Sequence, residues 1–251
     1  MSGHSHWSSI KHQKASADAK RGKAFSKLAK LIAVAVKAAG ADPDTNLRLR
    51  YAIDAARAAN MPVDSIKRAI SRASGDEDGA RIEEIVYEGY GPGGVAIIVN
   101  AVTDNRNRTA PELRKLFEAN GGNLGQSGSV SWMFKTTGFV SVPKTSCDED
   151  TITMAALDGG AEDISATEGY WEIYCAPADF EKVKAALKNA NIAFETAEIT
   201  RIASTEVTLA KEAAKRCMNL LSALEDHEDV QNVNNNLRLT DELIALLQKE
   251  E

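Results

Sequence analysis

Residues 138–202 read GFVSVPKTSCDEDTITMAALDGGAEDISATEGYWEIYCAPADFEKVKAALKNANIAFETAEITRI, and the order of patterns within them decides the fold. Short β-rich runs at 139–142, 163–167, 171–175 and 194–202 alternate with helix-period segments at 149–157 and 178–189. The order is βαββαβ, which is the ferredoxin-like arrangement.

Working outward, residues 82–87 and 95–102 are β-rich and flank GYGPGG; a helix over 109–120, Gly121-Gly122 and a strand over 129–134 follow. This is an α+β unit. Beyond the ferredoxin-like stretch the pattern predicts a helix over 207–224, a strand over 230–239 and a terminal helix over 241–249. Toward the N-terminus the period changes to 3.6. A polar arm over 1–14 leads to a long helix over 15–39 with Gly40 as its C-cap, then helices over 45–60 and from Pro62 to residue 74. Three helices with short joins predict a bundle. A polar linker over 76–80 separates it from the strands. The fold class expected is multi-domain α+β, an N-terminal helical bundle plus two α/β-type domains, with no internal repeat.

The chain has 251 residues, 43% of them hydrophobic, enough for several small cores. Its best apolar run, 31–36, is stopped by Lys37, far short of a membrane span. No secretory signal pattern opens the chain, so the cytoplasm is the expected location and no membrane partner is expected. Cys147, Cys175 and Cys217 are an odd number and form no CxxC pair. They read as reduced core thiols, not as a disulfide framework or zinc site.

The net charge of −6 conceals a segregation: residues 1–75 carry +9 and the remainder −15. A basic module joined to an acidic body points to a polyanion partner. Lys20, Lys23, Lys27, Lys30 and Lys37 fall within roughly a quarter-turn of one helix, with Phe25, Leu28, Ile32 and Val36 on the far side. Lys11, His12, Lys14 and Arg21 extend the positive field, and Asp18 is the only acid before Asp42. The candidate nucleic-acid contacts are therefore Lys11, His12, Lys14, Lys20, Arg21, Lys23, Lys27 and Lys30. Lysines are point charges on flexible stems, suited to phosphates and not to base edges. Trp7 in the arm fits either base stacking or packing onto the bundle.

A second candidate contact is the DNRNRT stretch before a helix, where free N–H groups with Arg106 and Arg108 fit a phosphate; a polar capping loop is the other reading. Gly89, Gly91 and Gly94 satisfy GxGxxG, yet a strand follows them where the phosphate cradle needs a helix, so the segment reads as a hairpin loop. None of the four histidines lies in a nucleophile motif, and the acidic run 225–229 lacks calcium-loop spacing and reads as a solvated turn. No enzymatic activity, cofactor or metal is expected.

Taken together, GHSHWSSIKHQK, DAKRGKAFSKLAK, DPDTNLRLRYAIDAARAANMP, YEGYGPGGVAIIV, DNRNRT, GGNLGQSGSVSWMF and LEDHEDVQNV resemble the YebC/PmpR family, which includes the mitochondrial translational activator of cytochrome oxidase. The resemblance implies three domains, here 1–78, 79–136 plus 205–251, and 137–204, the ferredoxin-like third inserted into the second. It also implies one of two roles: a DNA-binding transcriptional regulator, or a ribosome-associated translation factor that relieves stalling at proline-rich sequences. The partner is then DNA or ribosomal RNA. His6, Gln13 and Leu47 depart from the family pattern, the first two removing charge from the arm. Oligomeric state stays open.

Overall fold

Helix α1 (Ala17–Ala39) ends where Gly40 takes φ +88°, a left-handed conformation that costs glycine little and closes the helix by a bond from its N–H to the Val36 carbonyl. The computed structural model describes residues 17–75, 82–167 and 169–239, the first four as backbone only. The arm over 1–14, the linker over 76–80 and the terminal helix over 241–249 therefore lie outside the described residues.

Asn46 begins α2 (Leu47–Ala58). Its side-chain oxygen accepts from the Leu49 N–H at 3.0 Å, and its amide donates to the Ala35 and Gly40 carbonyls at 2.8 and 2.7 Å. One buried side chain thus caps the second helix and holds the end of the first. Helix α3 (Val63–Ser74) starts after Pro62, where a missing N–H costs nothing. The three helices share a core of Ile32, Ala35, Val36, Leu49, Ile53 and Ile66.

The first sheet holds β1 (Glu83–Tyr90), β2 (Ala96–Thr103), β3 (Asn123–Leu124) and β8 (Val230–Asn235), in the order β3-β1-β2-β8. β1 and β2 are antiparallel, and Tyr90 opposite Ala96 closes the pair across a short turn at Pro92–Gly94. The GxGxxG stretch is thus the hairpin loop expected. Helix α4 (Arg106–Ala119) starts three residues before the expected residue 109, because the Asn105 side chain accepts from the Arg108 N–H. Helix α7 (Lys211–Asp226) completes this layer, and Leu113, Phe117, Cys217, Leu220 and Leu224 are fully buried with Ile97 and Ile98.

The second sheet holds β4 (Phe134–Pro143), β5 (Ala161–Ala166), β6 (Tyr170–Cys175) and β7 (Thr196–Ala203), in the order β5-β6-β4-β7 with antiparallel neighbours. With α5 (Glu149–Asp158) and α6 (Phe180–Asn189) the order along the chain is βαββαβ, as expected. Gly138, Val140 and Val142 oppose Cys175, Ile173 and Trp171, so these alternate residues share one face, and Ile152, Val183 and Leu187 add buried apolar side chains from the helices.

Further boundaries differ from expectation. The strand expected over 129–134 is absent: Gly128 and Val130 donate their N–H groups to the two oxygens of buried Glu88, each at 2.8 Å, so those donors are unavailable to a ladder. Ser131–Met133 is a single 3-10 turn, and β4 begins at Phe134. The helix expected from 207 starts at Lys211, since Val207 spends its backbone on a parallel bridge to Leu237, donating to the Asn236 carbonyl and accepting from Arg238. For the same reason β8 stops at Asn235.

Among the described residues, 17–130 with 210–233 form one compact unit, and 131–209 with 234–239 the other.

Candidate nucleic-acid interface

The lysine stripe of α1 divides in the folded chain. Arg21 and Lys23, in its first turns, are exposed. Lys27 is half-buried, and its ammonium donates to the Glu225 carbonyl. Lys30 donates to Asp229 Oδ1 at 2.5 Å and reaches the Glu228 carbonyl at 3.4 Å. The middle of the stripe therefore grips the turn between α7 and β8, and its beginning faces water. Lys20 lies in α1 with its side chain outside the described set; Lys11, His12, Lys14 and Trp7 are outside it altogether.

Asp229 is the hub of this arrangement. Its side chain is fully buried, and besides Lys30 it accepts from Arg108 Nη2 at 2.8 Å, Thr109 Oγ1 at 2.8 Å and Thr103 Oγ1 at 3.2 Å. Its backbone carbonyl accepts from the Val102 N–H at 2.7 Å. Thr103 ends β2 and Thr109 lies in the first turn of α4, so one carboxylate joins α1, the β2–α4 corner and the start of β8. Burial alone would push this carboxyl up; hydrogen bonds from Lys30, Arg108 and Thr109, with the Lys30 charge, outweigh that and hold it well below the usual carboxylate range. The acidic run 225–229, expected to be a solvated turn, is corrected at this residue. A buried charge is tolerated there because four side-chain donors, from Lys30, Arg108, Thr109 and Thr103, are aimed at it.

Arg108 is correspondingly committed. Its Nη2 also lies 3.3 Å from Asp104 Oδ1, and its Nε lies 4.0 Å from Glu112 Oε2, so three carboxylates surround one guanidinium. Arg106 is exposed. The structure thus unites Lys30 and Arg108 on one acid, and leaves Arg21, Lys23 and Arg106 open to solvent.

His227 Nδ1 accepts from the Asp229 N–H at 3.1 Å, which puts the proton on Nε2, donating to Glu112 Oε2 at 3.0 Å. Glu112, His227 and Asp229 bring one ligand atom each within 4.8 Å of one another, but these atoms already serve hydrogen bonds and ion pairs, and two cations occupy Asp229. Cys175 and Cys217 lie in the core and Cys147 is half-buried; burial pushes all three thiols up, that of Cys217 to about 12.

Sequence reasoning missed the carboxylate at 229, whose partners stand about 120 and 200 positions away along the chain. The available signal was its place immediately before a strand, a poor position for a solvated acid.

No helix among the described residues is long and apolar enough to cross a membrane. Residues 5–76 match the model of the TACO1/YebC protein N-terminal domain, and residues 82–237 that of the TACO1/YebC second and third domain. The chain is 48% identical over 251 residues, all of both chains, to the probable transcriptional regulatory protein CT1665 of Chlorobaculum tepidum. It is 48% identical over 243 residues, 96% of this chain and all of the relative, to the probable transcriptional regulatory protein TTE1135 of Caldanaerobacter subterraneus. The crystal structure of the conserved hypothetical protein Aq1575 from Aquifex aeolicus superposes with a TM-score of 0.84 at 44% identity, covering 94% of this chain and 98% of that one. By sequence along its whole length and by fold, this chain belongs to the TACO1/YebC family.

Proposed function

We infer that this chain is a non-enzymatic, nucleic-acid-binding regulator of gene expression, working in the cytoplasm as a DNA-binding transcriptional regulator. The observation that carries the reading is the first part of α1: Arg21 and Lys23 stand exposed, and Asp18 is the one acidic residue in the sequence of that helix. Lys11, His12, Lys14 and Lys20 add positive charge next to it in the sequence, and exposed Arg106 is a further contact. Relatives named as probable transcriptional regulatory proteins agree with the role. The three-domain division at 78/79, 136/137 and 204/205 belongs to the same reading.

Lys27, Lys30 and Arg108 enter in a second capacity, holding the helix that presents the open cations. Phosphate contact by flexible ammonium groups is blind to base sequence, so specificity must come from elsewhere. The test is binding to duplex DNA across a salt series. With about six phosphates neutralised, log K falls against log salt with a slope near −5. Arg21→Glu with Lys23→Glu abolishes binding without unfolding the chain, because both side chains face water. A slope near zero, or undiminished affinity in the double variant, rejects the reading.

The second reading, a ribosome-associated translation factor relieving stalling at proline-rich sequences, is favoured by the same base-blind chemistry, since ribosomal RNA offers the same phosphates. Co-sedimentation with ribosomes on a sucrose gradient separates the two. Sedimentation only as free protein, beside tight binding to promoter DNA, rejects the second.

A further inference from the structure

Between α1 and α3 runs a groove of about 480 Å³, a size typical of ligand-binding clefts. Ala29 and Ala33 from α1 and Ala69 and Ala73 from α3 line it, with Met61 beneath; Ala29, Ala69 and Ala73 also pack on the bundle core. These methyl groups form a low apolar floor. Along its edges stand Lys37, Arg68 and Arg72, all exposed, and no carboxylate occurs among the described lining residues. Lys30 also borders the groove, but its charge is answered by Asp229.

The walls follow from helical spacing. Ala29, Ala33 and Lys37 are four apart on α1, and Arg68 and Arg72 four apart on α3, so each wall repeats once per turn. Arg68 holds itself along its own helix, its Nε donating to the Asp64 carbonyl at 3.2 Å and one Nη to Ser65 Oγ at 3.1 Å. That pre-orders the guanidinium at the groove edge. A surface lined with lysine and arginine is commonly only a solvated face; here the cations flank a concave channel whose described lining carries no acid and whose floor is of small side chains, which a solvated face does not require.

We propose that this groove seats the sugar–phosphate backbone of one nucleic-acid strand, with Arg68 and Arg72 as its phosphate contacts and Lys37 closing the opposite wall. The inference rests on the nucleic-acid-binding reading above and adds a second track to it. Guanidinium groups match phosphate oxygens two at a time. Two guanidinium groups four residues apart on one helix, about 6 Å along its axis, suit the repeating charges of a strand better than one small anion. The alanine floor lets the sugar edge approach closely. No aromatic side chain occurs among the described lining residues, so these residues offer bases no stacking surface and read backbone alone.

The test uses the full chain and fluorescence anisotropy with mixed-sequence oligonucleotides as single-stranded RNA, single-stranded DNA and duplex DNA, each over a salt series. Arg68→Gln with Arg72→Gln keeps helix propensity and removes two charges. It lowers the magnitude of the salt slope by about 1.4 on both single-stranded probes, irrespective of base composition. Ala69→Glu, which puts a carboxylate into the floor, weakens binding at least tenfold, with circular dichroism confirming the helices in both variants. Unchanged slope and affinity in both variants, while Arg21→Glu with Lys23→Glu still abolishes binding, overturns the groove and leaves the nucleic-acid reading standing. A loss that depends on base sequence overturns the backbone assignment. A wild-type chain with no salt-dependent binding to any probe overturns both readings.

Discussion

Lys30 and Asp229, 199 positions apart, form an ion pair of 2.5 Å in which the carboxylate is fully buried and the ammonium side chain is about one-quarter exposed. The pair ties the basic helix to the turn before β8, and Arg108 takes the second oxygen of the same carboxylate at 2.8 Å. A lysine in the middle of a row of surface cations is thereby a structural residue. Its neighbour one turn earlier, Lys27, does related work on the Glu225 carbonyl.

Replacing Lys30 by Met therefore lowers unfolding free energy by about 1.5–3 kcal/mol, the usual worth of a hydrogen bond to a charged group. Lys23→Met, at an exposed position of the same stripe, changes it by no more than ~0.5 kcal/mol. Urea denaturation of the two variants measures the difference. Equal effects would mean that the Lys30 contact contributes nothing to stability.

The same carboxylate gives a pH dependence whose sign can be worked out. Asp229 is held below its ordinary value in the folded chain, while in the unfolded chain it titrates near ~3.9. As pH falls, the unfolded state takes the proton first, so the stabilisation is present above about pH 4 and is lost as pH falls through the lower folded value. Wild-type stability should drop more steeply between about pH 5 and pH 3 than that of Asp229→Asn. Parallel curves would assign the acid sensitivity to other groups.

Asn46→Ala removes a cap and leaves the Ala35 and Gly40 carbonyls without their side-chain donor. The expected cost is about 2 kcal/mol, combining a lost N-cap with a buried acceptor left unpaired. Asn46→Asp restores the cap and not the donors, so it should recover only part. Full recovery in thermal melts would show that the cap alone matters.

Gly89 sits where β1 meets β3. A Cβ there would lie 2.7 Å from the Asn123 carbonyl oxygen and 2.8 Å from Phe117 Cε1. Gly89→Ala should cost about 1–3 kcal/mol through overpacking against the backbone. By contrast, Gly22 has nothing within 4 Å of such an atom and lies in a helix, so Gly22→Ala should stabilise by about 0.5–1 kcal/mol. A Gly89→Ala variant as stable as wild type would require β3 to move away.

The sequence by itself determined the elements whose signals are local. The period of 3.6 gives α1 to α3, Gly40 marks the end of the first, and β-rich runs between helical segments give the βαββαβ order, because each depends on residues a few positions apart. It also determined the family, through motifs distributed along the chain, and the segregation of charge. Only the tertiary structure decided which charges remain available. The periodicity that aligns five lysines on one helix face is silent on what approaches that face, and residues 225–229 approach Lys27 and Lys30 from the far end of the chain. The same holds for the segment 128–130, whose backbone donors are captured by Glu88 some forty residues upstream. Local pattern fixes where a side chain points; burial and long-range hydrogen bonding fix whether it meets water or a partner.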